Sequence, residues 1–203
     1  MFKFERIYRE LLLSSLRQVS LIPQEDIALK CEVSLGLVNK TVKKLVVAMA
    51  VEATRKGVRV LSPARLVNLW AAERNLLTDV WQSFRLDPIT QVEKNLPRDV
   101  LVTAFPAWFK ISKRKPADYD RVHFYVTNKE NFNWWLNFRK KKIRKVNPNV
   151  FALFVNDEHL TQSSEKGIVC VPQIYVDIYS VNGPEASPFL RDIATVYPSL
   201  SLW

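Results

Sequence analysis

The chain has 203 residues, enough for one or two domains. Apolar residues make up 48%, which provides a sizeable core and excludes wholesale disorder. With 30 Lys and Arg against 20 Asp and Glu, the formal charge is +10 and the pI is near 9.7, the electrostatic footprint of a nucleic-acid binder.

Phe4, Ile7, Tyr8, Leu11, Leu12 and Leu16 recur at helical spacing, so residues 4–18 read as an amphipathic helix. Pro23 followed by acids opens a short second helix with Ile27 and Cys31 on one face. Ser34 can cap a third, running from Leu35 to about Met49. At 100° per residue, Val38, Val42, Leu45 and Met49 form its buried stripe, and its outward face carries Lys40, Lys43 and Lys44 with no acid. Two β-prone runs then flank Arg55-Lys56-Gly57, a hairpin signal. Helix, short helix, tight turn, basic helix and basic-tipped hairpin together read as a winged helix-turn-helix over residues 1–62.

Ser62-Pro63 starts a connector helix over 63–75, with Leu66, Leu69, Trp70, Leu76 and Leu77 on its apolar face. Residues 76–203 alternate. Strands are expected over 80–86, 100–102, 121–126, 150–155 and 168–171, and helices over 103–109, 130–138, 172–180 and 186–196. Asp87-Pro88 reads as the cap and first turn of a helix to Asn95. The fold class is therefore α+β, with a winged helix-turn-helix followed by a mixed α/β domain. Two cores joined by one helix are expected, with residues 1–75 able to fold alone.

The N-terminal part of a helix in the major groove meets base edges. Ser34, Gly36, Leu37 and Lys40 are the readout candidates, with Asn39 on the flank, and Gly36 allows close backbone approach. Lys43, Lys44, Arg55, Lys56 and Arg59 would neutralise phosphates. A possible second nucleic-acid surface is the run Arg139, Lys140, Lys141, Lys142, Arg144 and Lys145, with Trp134 and Trp135 nearby for stacking or, alternatively, in the core. Another basic run covers 110–115.

Chemistry beyond binding has little support. Cys31 and Cys170 sit in apolar patterns and read as buried, reduced thiols, while His123 and His159 are isolated. Neither a metal nor a cofactor is expected. The 4 Gly form no phosphate-binding loop or dinucleotide fingerprint. Asp118-Tyr119-Asp120 could place two carboxylates beside Mg²⁺, the alternative of a nucleotidyltransferase-like enzyme; the favoured reading is that they are solvated and the chain is not an enzyme. A third reading is a mobile-element nucleoprotein component. No apolar run approaches the ~20 residues of a membrane span, and residues 1–6 carry charge where a signal peptide needs an apolar core, so a soluble, cytoplasmic chain without membrane contact is expected.

Five stretches in order carry a family likeness: 33–40 (VSLGLVNK), 66–72 (LVNLWAA), 100–104 (VLVTA), 122–126 (VHFYV) and 171–178 (VPQIYVDI). In these the chain resembles the AbiEi-like transcriptional regulators, the type IV antitoxins of abortive-infection systems, over residues 24–196. The resemblance implies a winged helix that binds the double-stranded DNA of its own operator and represses its own operon. It implies a nucleotidyltransferase-like C-terminal domain over 76–203 that supports antitoxicity without catalysis. The implied counterpart is a nucleotidyltransferase toxin, opposed without a stable complex. Family members often carry Gly where this chain has Ala104.

Overall fold

The computed structural model describes residues 1–139, 143–144 and 146–201. The fold is α+β. Three helices open it: α1 (Lys3–Leu16), α2 (Gln24–Cys31) and α3 (Leu35–Val47). An antiparallel hairpin of β1 (Val51–Thr54) and β2 (Gly57–Val60) follows, then α4 (Pro63–Glu73). Ser34 Oγ accepts the Leu37 N–H at 3.2 Å and Ser62 Oγ accepts that of Arg65 at 3.2 Å, so both expected caps form. Val38, Val42 and Leu45 are buried as the helical period requires. Met49 is not: α3 ends at Val47, and Met49, at φ +53° in the turn into β1, is 62% exposed. Helical phase no longer sets its direction there.

Gly57 fixes the hairpin. Its φ is +144°, and a Cβ would stand 2.3 Å from the Ile22 carbonyl oxygen. Ile22 and Val58 exchange two backbone hydrogen bonds, at 2.8 and 3.0 Å, which hold the hairpin against the segment entering α2.

The second half holds a four-stranded sheet: β3 (Val80–Phe84), β4 (Val100–Thr103), β5 (Val122–Val126) and β6 (Val150–Leu153), in the order β3-β6-β5-β4. The central pair, β5 and β6, is parallel, and the outer pairs β3–β6 and β4–β5 are antiparallel. Around it lie α5 (Ile89–Lys94), α6 (Ala104–Ser112), α7 (Lys129–Arg139), α8 (Glu158–Gln162), α9 (Val171–Val181) and α10 (Ala186–Val196). Three expectations are corrected. Asp87 does not cap α5; Pro88 stands at that position, and the Asp87 carboxylate accepts from Arg85 and Asn149. Residues 168–171 form no strand: Ile168 makes isolated bridges and Val171 already begins α9, whose second residue is Pro172. Leu77, beyond the end of α4, is exposed.

There are two cores, but the division is not at residue 75. One buried cluster joins Ile7, Leu11 and Leu45 to Trp70 of α4 and on to Trp108, Ile174, Phe189 and Leu200. The other gathers Phe84, Phe124, Phe132, Trp135 and Ala152. Phe124 and Tyr125 are neighbours on β5 yet fall in different clusters, because alternate strand residues face opposite sides of the sheet. The sheet, not the connector, separates the cores.

Helix α1 is buried on its polar side as well, at Glu5, Arg6, Arg9 and Glu10. Arg9 donates to Gln173 Oε1 at 3.1 Å, to Asp157 Oδ2 at 3.1 Å and to His159 Nδ1 at 3.0 Å. Arginine can only donate, so the His159 proton is on Nε2, which meets Glu10 Oε2 at 3.2 Å. Arg74 closes the other side: its Nε bonds Asp177 Oδ1 at 3.1 Å and its Nη2 the Tyr125 hydroxyl at 3.0 Å. Thr103 and Tyr125 both donate to Asp177 Oδ2, at 2.6 and 2.7 Å, and Gln173 donates to Oδ1 at 2.9 Å. Burial pushes the Glu10 and Asp157 carboxyls up. Hydrogen bonds from His159 and Lys30 to Glu10, and the charge of Arg9 beside Asp157, overcome this and hold both below the usual range. Among the described residues no helix is long and apolar enough to cross a membrane.

Candidate nucleic-acid interface

The exposed side of α3 and the hairpin tip meet at a cleft of about 160 Å³. Gln24 and Glu25 of α2, Leu35 and Asn39 of α3 and residues 54–57 line it. The Gln24 Oε1 atom is buried without a hydrogen-bond partner. Helix α2, the Ser34-capped α3 and the hairpin pinned by Gly57 thus give the cleft walls from three separate elements.

The expected site residues divide by what the chain does with each. Ser34 is exposed, but its hydroxyl is engaged as the cap of α3. Gly36 is exposed, and a Cβ there would meet nothing nearer than Ser34 Oγ at 4.0 Å. Leu37 is half-buried against the main core, which removes it from a set of free base contacts. Asn39 is exposed and donates through Nδ2 to the Leu35 carbonyl at 3.1 Å.

The basic residues split as well. Lys40, Lys43, Arg55 and Lys56 are exposed, and no ion pair holds their side chains among the described residues. Lys44 differs: its Nζ lies 2.5 Å from Glu73 Oε1 at the end of α4, and Glu73 also accepts the Tyr8 hydroxyl at 3.2 Å. Arg59 faces Glu52 across the hairpin at 3.7 Å. No acid lies on α3 itself, as expected, but carboxylates from other elements pair with two of the six cations: Glu73 of α4 with Lys44, and Glu52 of the facing strand with Arg59. Among the described residues this leaves four of the six without an ion pair, two on α3 and two at the hairpin tip.

Elsewhere the expected groups do not converge. Asp118 and Asp120 have side chains 97% and 86% exposed in the loop before β5, beside Lys115 at 2.6 Å and Arg121 at 3.7 Å. Of the 139–145 run, Lys140, Lys141, Lys142, Lys145 and the side chain of Arg139 lie outside the described residues. Arg144 is exposed, and its backbone pairs with that of Arg85 at 2.7 and 3.0 Å. The two tryptophans part company: Trp135 packs in the second core and donates to the Asn95 carbonyl at 2.7 Å, whereas Trp134 is 66% exposed. Cys31 is buried, and burial pushes its thiol up to about 12, which disfavours the reactive thiolate.

Comparison with protein-family models, with curated proteins and with solved structures found no match.

Proposed function

We propose that the chain is a sequence-specific, double-stranded-DNA-binding transcriptional regulator. In this reading α2, α3 and the β1–β2 hairpin act as a winged helix-turn-helix, with α3 in the major groove and the hairpin tip on the flanking backbone. The observation that carries it is the set of four unpaired cations, Lys40, Lys43, Arg55 and Lys56, on two elements that share one cleft. Such charges supply sequence-independent affinity for phosphate. The stripe of Val38, Val42 and Leu45 beneath them anchors α3 with its opposite side outward.

The narrower reading is that of an antitoxin that represses its own operon and opposes a nucleotidyltransferase toxin without a stable complex. It rests on the family resemblance, with one structural support. Ala104, where the family often has Gly, is fully buried and holds φ +54°, a conformation glycine adopts more readily. In this reading the C-terminal half has no catalytic task, and Asp118 and Asp120 remain solvated.

The test is binding of the purified chain to duplex DNA from upstream of its own gene, against an unrelated duplex of equal length. Salt-sensitive binding that favours the upstream DNA is expected. Equal affinity for both, or none for either, overturns the regulator reading.

A further inference from the structure

Gly57 and Gly36 pose opposite questions. The fold needs Gly57, because a side chain there collides with the Ile22 backbone. Nothing inside the chain needs Gly36. It has an ordinary helical backbone, it is exposed, and a Cβ would enter open space. Glycine in a helix is nonetheless less favourable than alanine. An unneeded glycine in the first turn of α3 makes sense when an external body must come close to the backbone.

The neighbours of Gly36 say what that body presents. Asn39 follows by one turn, and its Nδ2–H is tied to the Leu35 carbonyl at 3.1 Å. One amide hydrogen and the Oδ1 acceptor stay free, already oriented. That leaves one donor and one acceptor side by side, the pattern that pairs with N7 and N6–H₂ of adenine in the major groove. Leu35, the residue holding Asn39, exposes 41% of its surface in the same cleft. An apolar side chain beside that amide suits the C5-methyl of thymine, the major-groove apolar group of an A·T pair. Lys40 and Lys43 can only donate, so neither supplies the acceptor that the adenine pattern requires.

We infer that the first turn of α3 reads an A·T base pair, with Asn39 on adenine, Leu35 on the thymine methyl and Gly36 as the clearance that lets the helix approach. This deepens the DNA-binding reading and rests on it.

The test begins with selection from a randomised duplex library by the full chain and by Asn39→Ala. The wild-type motif should contain a fixed A·T pair, and Asn39→Ala should lose discrimination at that pair by about 5- to 150-fold while the other positions persist. Replacing the paired thymine by uracil should weaken the wild-type chain and leave Leu35→Ala unaffected. Gly36→Ala supplies an independent readout: its Tm should rise by about 1–3 °C while DNA affinity falls, a combination no folding defect produces. An unchanged motif in Asn39→Ala, equal binding of thymine and uracil duplexes, or full affinity in Gly36→Ala overturns the inference. Salt-sensitive binding without any selected motif overturns it while leaving general duplex binding intact. A chain that binds no duplex overturns both.

Discussion

Arg74 and Lys40 are both cations, held in opposite ways. Arg74 is enclosed between α4, the sheet and α9, with Asp177 and Tyr125 on its guanidinium. Lys40 stands in solvent and, among the described residues, has no ion-pair partner, as is true of Lys43, Arg55 and Lys56. A buried charge stripped of its partner is strongly destabilising, whereas an exposed one contributes little to folding. Charges at the junction of α1, α4 and α9 therefore belong to stability, and charges on α3 and the hairpin tip are available to a polyanion. Substitutions in the two regions should separate cleanly into folding effects and binding effects.

The most drastic way to break that contrast is to cut between the halves. Severed after Asn75, residues 1–75 lose Asp157, His159 and Gln173 from Arg9, Asp177 from Arg74, and the apolar cover of the shared core. The fragment should show no cooperative urea transition by circular dichroism; a sharp transition like that of the full chain would restore an independent N-terminal core. Asp177→Ala comes next. It should cost about 3–5 kcal/mol in urea unfolding because Thr103, Tyr125 and Gln173 lose their shared buried acceptor and Arg74 loses one of the three carboxylates, with Asp79 and Glu5, that balance its buried charge. Lys40→Ala and Lys43→Ala should stay within about 0.5 kcal/mol of the parent while weakening DNA binding.

Acid probes buried titratable groups outside and inside that network. His123 is buried against Phe151, and burial lowers its pKa to about 3. The unfolded chain takes up that proton near pH 6.5 and the folded chain does not, so stability falls as pH drops from 6.5 towards 3. Glu10 and Asp157, held low in the fold, add to the loss once pH falls below their ordinary range, about 4. Unfolding free energy should drop by roughly 2 kcal/mol between pH 7 and pH 5, and His123→Phe should flatten that window. A slope unchanged in His123→Phe would place the titrating group elsewhere. The smallest effect belongs to the pair that straddles the two regions. Lys44→Ala should cost under about 1 kcal/mol of stability and lower DNA affinity less than Lys43→Ala does, because Lys44 is already engaged by Glu73. A larger affinity loss in Lys44→Ala would show that the pair opens on DNA.

Much of the N-terminal half was legible in the sequence because its signals are local. Ser34 and Ser62 cap the helices they precede, helical period sets the stripe of α3, and Arg55-Lys56-Gly57 turns the hairpin. The buried polar junction was not legible. In a single helix Glu5, Arg6, Arg9 and Glu10 look like a solvated face, and contact with Trp70 and Arg74 for Glu5, and with Asn156, Asp157, His159 and Gln173 for the others, puts them inside. The pairing of Lys44 with Glu73 was hidden for the same reason, since spacing along α3 says nothing of a carboxylate on α4, whereas that of Arg59 with Glu52 follows from the register of a hairpin the sequence already indicated. Gly36 was visible as a glycine, but only the space around it shows that the fold does not require it.

The most direct measurement is the salt dependence of duplex binding by the full chain and by a variant with Lys40, Lys43, Arg55 and Lys56 all replaced by Ala. Four phosphate contacts give a slope of log K against log salt of about −3.6 for the parent, and the variant should flatten towards zero with an unchanged urea midpoint. Equal slopes for parent and variant would contradict the assignment of these four cations to phosphate.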